Sequence, residues 1–221
     1  MKKGKLLSLL LAAVVGAGSL AMTAQAAPAE LPAQTAKTAA FVKASDWVLK
    51  DDWAIFALGR NQEEGCEKLY EDYYQGVLAL LADPAKLIPS DYIRLSLSLT
   101  AIGIDPRNIE GNDLLEKIDQ ADREMYFKMS TSSLAYALAL MERYPDSFSG
   151  TLKEDTIQKI LGAQQADGSF DYTVGGGYPD PDSTAQAMQG LMLLGDTYAS
   201  EIQAAVDWLK AQMNEDGAIL N

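Results

Sequence analysis

Two kinds of helix-forming segment alternate along this chain, and that alternation restricts its fold more than any other feature. One kind is apolar nearly all round and rich in small residues. Thr131 to Met141 and Ser183 to Leu194 are the clearest examples. A helix that is apolar on every side has to be buried on every side. Tyr92 to Gly103 belongs with them. Its Ile93, Leu95, Leu97 and Leu99 alternate as in a strand, but the length of the stretch and its place in the series predict a helix. The other kind is amphipathic. Leu69, Tyr73, Gly76, Val77 and Leu80 share one helical face, as do Ile157, Ile160 and Leu161, and Ile202, Ala205, Val206, Leu209 and Met213. The expected fold is therefore all-α and two-layered, with inner helices lining a core and outer helices shielding them.

The inner segments recur. They start near Asp52, Asp91, Ser132 and Ser183, a period of roughly 40 to 50 residues that suits helix-pair repeats. Each is expected to stop at a breaker: Gly59, Gly103, Pro145 and Gly195. Caps are expected at Ser90 or Asp91, at Ser130 or Thr131, and at Asp182 or Ser183.

The N-terminus carries an address. Lys2, Lys3 and Lys5 precede an apolar run from Leu6 to Val15, and Ala24-Gln25-Ala26 has the small-residue pattern of a cleavage site. Residues 1–26 read as a secretory signal peptide, and the mature chain is expected to begin at Ala27 and to reside outside the cytoplasm, secreted or at the cell surface. The apolar run is too short to span a membrane comfortably, and no later segment reaches that length. Residues 27–37, rich in Ala, Pro and Thr, read as a flexible leader, and residues 38–221 as the folded domain. Cleavage leaves fifteen basic residues against 31 acidic ones, a net charge near −16. Such a surface repels nucleic acid and anionic membrane. Cys66 is the only cysteine and histidine is absent, which excludes an internal disulfide, His-based triads and most zinc sites. No metal or cofactor is expected.

Two turn signatures bracket an acidic one. Gln164-Gln165-Ala166-Asp167-Gly168-Ser169-Phe170 has the form Gln-x-x-Asp-Gly-x-aromatic, and Asp216-Gly217-Ala218-Ile219 repeats its core after Trp208 to Met213. Between them lies Asp180-Pro181-Asp182-Ser183-Thr184-Ala185. From about Ser45 onward this combination resembles the α/α-toroid superfamily of terpenoid cyclases and protein prenyltransferase β-subunits. It is most similar to the prenyltransferase-repeat proteins that Gram-positive bacteria export to their surface. The resemblance implies a toroid of about six helix pairs, of which roughly four are recognisable here. A partial toroid is thus expected, with an open C-terminal end available for self-association.

The same resemblance supplies candidate chemistry. Family members that cyclise squalene-like substrates carry Asp-x-Asp-Asp-Thr-Ala, in which the middle Asp protonates an alkene. Asp180 and Asp182 match its first two acids, and Ser183 replaces the third. Asp182, with Asp180, is the one catalytic candidate; the simpler reading of the same residues is a helix cap. Protein prenyltransferases hold zinc through Asp, Cys and His; here His is missing and Cys66 lies in a different segment. The segment from Asp167 to Tyr172 reads as a turn rather than a calcium loop. Among the aromatics, Trp53, Tyr92 and Tyr136 are the candidate lining of a central hydrophobic pocket, which the Gly175-Gly176-Gly177-Tyr178-Pro179 stretch would cover as a loop. The leading expectation is an exported, non-catalytic binding or interaction module for a small hydrophobic ligand or a surface partner. A cyclase-like isomerase with Asp182 as acid and a corrinoid (cobalamin) binder, both known uses of such toroids, are the alternatives.

Overall fold

The protein is described by a computed structural model over residues 31–215 and 217–219. Residues 1–26, expected as a signal peptide, and Asp216 lie outside the described residues. Within them the chain is all-α, with ten α-helices and no strand longer than an isolated bridge. The helices are α1 (Leu31–Ala44), α2 (Asp52–Arg60), α3 (Glu67–Leu81), α4 (Pro89–Ala101), α5 (Leu114–Asp119), α6 (Arg123–Phe127), α7 (Thr131–Arg143), α8 (Leu152–Leu161), α9 (Pro181–Met192) and α10 (Ala199–Ala211). No helix among the described residues is long and apolar enough to cross a membrane.

The expected inner segments form a row. Helix α2 packs on α4, α4 on α7, and α7 on α9. Of the expected outer helices, α8 and α10 lie against α7 and α9, while α3 packs on the 3-10 turn Val48–Lys50; the short helix α5 lies against α4. Asp52 meets Arg94 and Ser98, and farther along Gly59 abuts Ala101, so α2 and α4 run in the same direction. The core runs through the row and includes Ile55, Ile93, Leu95, Leu99, Leu134 and Leu138.

Small residues set the spacing of the row. A Cβ on Gly59 would lie 2.8 Å from the Ala101 carbonyl, and one on Gly190 would lie 2.9 Å from the Ala135 Cβ. Real side chains do not approach so closely, so glycine is what brings these helix pairs together. Gly59 is thus a contact residue inside α2 and not the breaker expected at its end. Gly103 and Gly195 do interrupt the chain, in left-handed conformation (φ 88° and 68°), and Pro145 opens a short 3-10 turn.

Other expectations are corrected. Residues 31–37, expected as flexible leader, belong to the exposed helix α1. On α3 the buried face is Tyr73, Val77 and Leu81, while Gly76 and Leu80 face solvent. The face is rotated by one residue because 3.6 residues per turn carries the stripe from Val77 to Leu81. Helix α9 is not buried all round. Ser183, Thr184, Ala187, Gly190 and Leu191 are buried on one face, while Met188, Met192 and Leu194 stay partly open. Its partners α7 and α10 and the following turn leave the rest uncovered. The two short helices α5 and α6 fill a stretch in which the sequence marks no element.

Candidate functional site

The aromatic candidates divide. Trp53 on α2 and Tyr136 on α7 stack with ring centroids 4.6 Å apart, and Phe56 meets Trp53 edge-on at 6.0 Å. All three rings are partly open to solvent. Helices α2 and α7 are not neighbours in the row; α4 lies between them. The ring contact therefore joins two helices that are not neighbours in the row. Tyr92, also on α4, is buried and makes no ring contact with them among the described residues. Burial, helped by the Asp91 charge, raises its phenol pKa.

The Asp180–Ala185 segment joins this cluster from one side. Asp180 is the N-cap of α9. Its Oδ1 accepts the Ser183 N–H at 2.8 Å, and Pro181 occupies the first helical position. The expected cap at Asp182 or Ser183 is corrected accordingly. Ser183 is a buried donor, and Asp182 is exposed on the first turn. Asp182 stands near enough to Tyr136 that its charge, after burial, contributes to raising the phenol pKa.

The Gln164–Phe170 turn is a structural clip. Gln165 N–H donates to Ser169 O and Gly168 N–H to Gln165 O. Asp167 Oδ1 accepts from both Ser169 N–H and Oγ–H, and the Ser169 hydroxyl and amide hold the Asp167 carboxyl below its ordinary range. Phe170 is fully buried and its N–H donates to Thr184 Oγ1. The buried Asp171 then fixes the glycine loop: its Oδ2 accepts Gln165 Nε2–H at 2.7 Å and Gly177 N–H at 3.0 Å. Tyr172 N–H donates to Tyr178 O, closing a small hairpin from which the Tyr172 and Tyr178 rings protrude. Among the described residues no group of three or more carboxylate or thiol side chains is placed to hold a metal ion.

One constellation had no signal in the sequence. At the N-terminal ends of α2 and α4, Arg94 donates through Nε to Asp52 (3.2 Å) and through Nη2 to Asp91 (2.7 Å). Tyr73 O–H donates to Asp52 Oδ1 at 2.7 Å, and Asp91 Oδ2 accepts the Ile88 N–H. Burial and the Asp52 charge push the Tyr73 pKa upward. Burial works against the Arg94 charge, but the two aspartates outweigh it and raise its pKa. This cluster floors an open groove of about 400 Å³, with apolar walls that include Leu49, Leu80, Leu87 and Leu95. Its members sit in three helices far apart in sequence, so no local motif announces them.

The chain matches no protein-family model, and comparison with curated proteins and with solved structures gives no match.

Proposed function

We propose that the chain is an exported, non-catalytic binding module: a partial α/α toroid of prenyltransferase-like repeats that takes a small hydrophobic ligand at its aromatic cluster. The observation that carries this reading is the Trp53–Tyr136 stack, which joins two non-adjacent helices of the row and leaves its rings partly open. Partly open aromatic surface held by stacking is what an apolar ligand can pack against. The row of inner helices with outer helices on its members supports the toroid reading, and the Lys-rich head before Ala24-Gln25-Ala26 supports export.

Catalysis fits the same residues less well. An alkene-protonating carboxyl has to be kept protonated by dry surroundings. Asp182 is exposed, and Asp180 is occupied with the Ser183 N–H.

Incubation of the purified protein with squalene and shorter polyprenyl alcohols, read by tryptophan fluorescence and mass spectrometry, tests the reading. The expected result is saturable quenching that is lost in Trp53→Leu, with the substrate recovered unchanged. A cyclised product that disappears in Asp182→Ala would overturn it in favour of the isomerase. N-terminal sequencing of the exported protein is expected to begin at Ala27. An intact Met1 on a membrane-embedded product would contradict export.

A further inference from the structure

The groove between α2, α3 and α4 is separate from the aromatic cluster, and its chemistry is more selective. Its polar floor is not uniformly available. Asp52 already accepts from Tyr73 and Arg94, and Asp91 already accepts from Arg94 and the Ile88 N–H. The cationic groups are different. Arg94 uses Nε and Nη2 but leaves Nη1 without a hydrogen-bond partner among the described residues, and its side chain stays 36% exposed. Lys50, on the same lining, is exposed, and its ammonium takes part in no hydrogen bond or ion pair among the described residues. The four charges sum to zero, but each carboxylate oxygen already has a donor, whereas the Lys50 ammonium and Arg94 Nη1 have no acceptor among the described residues. The walls are apolar and accessible: Leu49 is 41% and Leu80 50% exposed. The volume, about 400 Å³, falls in the range that holds a small ligand.

We infer that this groove binds a single-chain amphiphile with a carboxylate head, its alkyl tail lying along Leu49 and Leu80 and its carboxylate accepting from Lys50 and the free side of the Arg94 guanidinium. A planar carboxylate suits the guanidinium fork. A quaternary ammonium head offers neither N–H nor lone pair and would leave the Lys50 ammonium and Arg94 Nη1 without an acceptor, and an alcohol would forgo the charge-assisted bonds. This inference goes beyond the proposed function and does not rest on it, because it uses none of Trp53, Phe56 or Tyr136.

Titration calorimetry of the full purified chain tests it, with dodecanoate, dodecanol and dodecyltrimethylammonium each kept below micelle formation. Dodecanoate is expected to bind saturably, and the ammonium amphiphile at least about tenfold more weakly. Lys50→Ala is expected to weaken dodecanoate about threefold while leaving dodecanol unchanged. Leu80→Asp, at an exposed wall position, is expected to weaken every tail by about tenfold or more with the melting temperature unchanged. Trp53→Leu is expected to leave dodecanoate binding intact, which separates this groove from the aromatic cluster. Equal affinity for the three heads, no dodecanoate binding, or binding insensitive to Leu80→Asp would overturn the inference.

Discussion

The turns Gln164–Phe170 and Met213–Ile219 are built alike and fare differently. In the first, residues 164 and 170 form an isolated bridge, Gln165 N–H donates to Ser169 O, and Gly168 N–H donates to Gln165 O. In the second, residues 213 and 219 form the bridge, Asn214 N–H donates to Ala218 O, and Gly217 N–H donates to Asn214 O. Both glycines are left-handed, at φ 93° and 80°. Yet Phe170 is fully buried while Ile219 is 38% exposed. A Cβ on Gly168 would lie 2.4 Å from the Ala204 carbonyl oxygen of α10, whereas one on Gly217 would meet only the Met213 methyl at 3.5 Å. The same local hydrogen bonding thus yields a packed clip where a following helix lies against it and an open one where none among the described residues does. Local sequence forms the turn, and the neighbouring helix stabilises it.

The largest test of this contrast is truncation of the equivalent side chains. Phe170→Ala is expected to cost about 3–5 kcal/mol, as for a fully buried aromatic, against less than about 1 kcal/mol for Ile219→Ala, both read by urea denaturation. Similar costs would mean that the second turn is buried after all. The glycines come next. Gly168→Ala combines a left-handed backbone with a clash into α10 and is expected to cost about 3 kcal/mol, while Gly217→Ala bears only the backbone cost of about 1–2 kcal/mol. Gly59→Ala sharpens the point in a helix. Alanine ordinarily gains up to about 1 kcal/mol over glycine there, but contact with Ala101 is expected to make the change destabilising by about 1–3 kcal/mol. The smallest effect lies at the start of α9. Asp180→Ala is expected to lose the cap, about 1 kcal/mol, and Asp182→Ala to stay within about 0.5 kcal/mol of wild type. The reverse order would restore Asp182 as the cap.

Much of this was legible in the sequence because it is local. The apolar period of Thr131 to Met141 corresponds to α7, and the alternating leucines of Tyr92 to Gly103 are helical because α4 packs on α2 and α7 and buries more than one face. The Ser130 cap is also where its hydroxyl can reach the Ser133 N–H. The expected cap of α9, Asp182 or Ser183, lies two or three residues past the observed one although the signal is present: Pro181 favours the first helical position and so points to Asp180 before it. Other features have no local signal. The one-sided burial of α9 depends on what packs against it, which composition does not report. Gly59 reads as a breaker until Ala101 is placed against it. Of the expected aromatic site, Trp53 and Tyr136 come together because α2 and α7 flank α4, while Tyr92 is buried and makes no ring contact with them among the described residues. The Asp52–Arg94–Asp91 cluster depends wholly on two helices running side by side.

Stability in this chain is expected to pass from each helix to the next along the row and to fall off at α9 and α10. Around α7, helices α4, α8 and α9 cover Leu134, Ala137, Leu138 and Met141 to 1% exposure or less. On α10 only Ala205 is fully buried. Open apolar surface of this kind favours local opening or pairing with a second copy. Native-state hydrogen exchange on the purified chain, with light scattering in parallel, measures it directly. The predicted result is that amides of α9 and α10 open at clearly lower free energy than those of α4 and α7, and gain protection as the chain self-associates at higher concentration. A monodisperse monomer in which α9 and α10 are protected as well as α7 would contradict the claim.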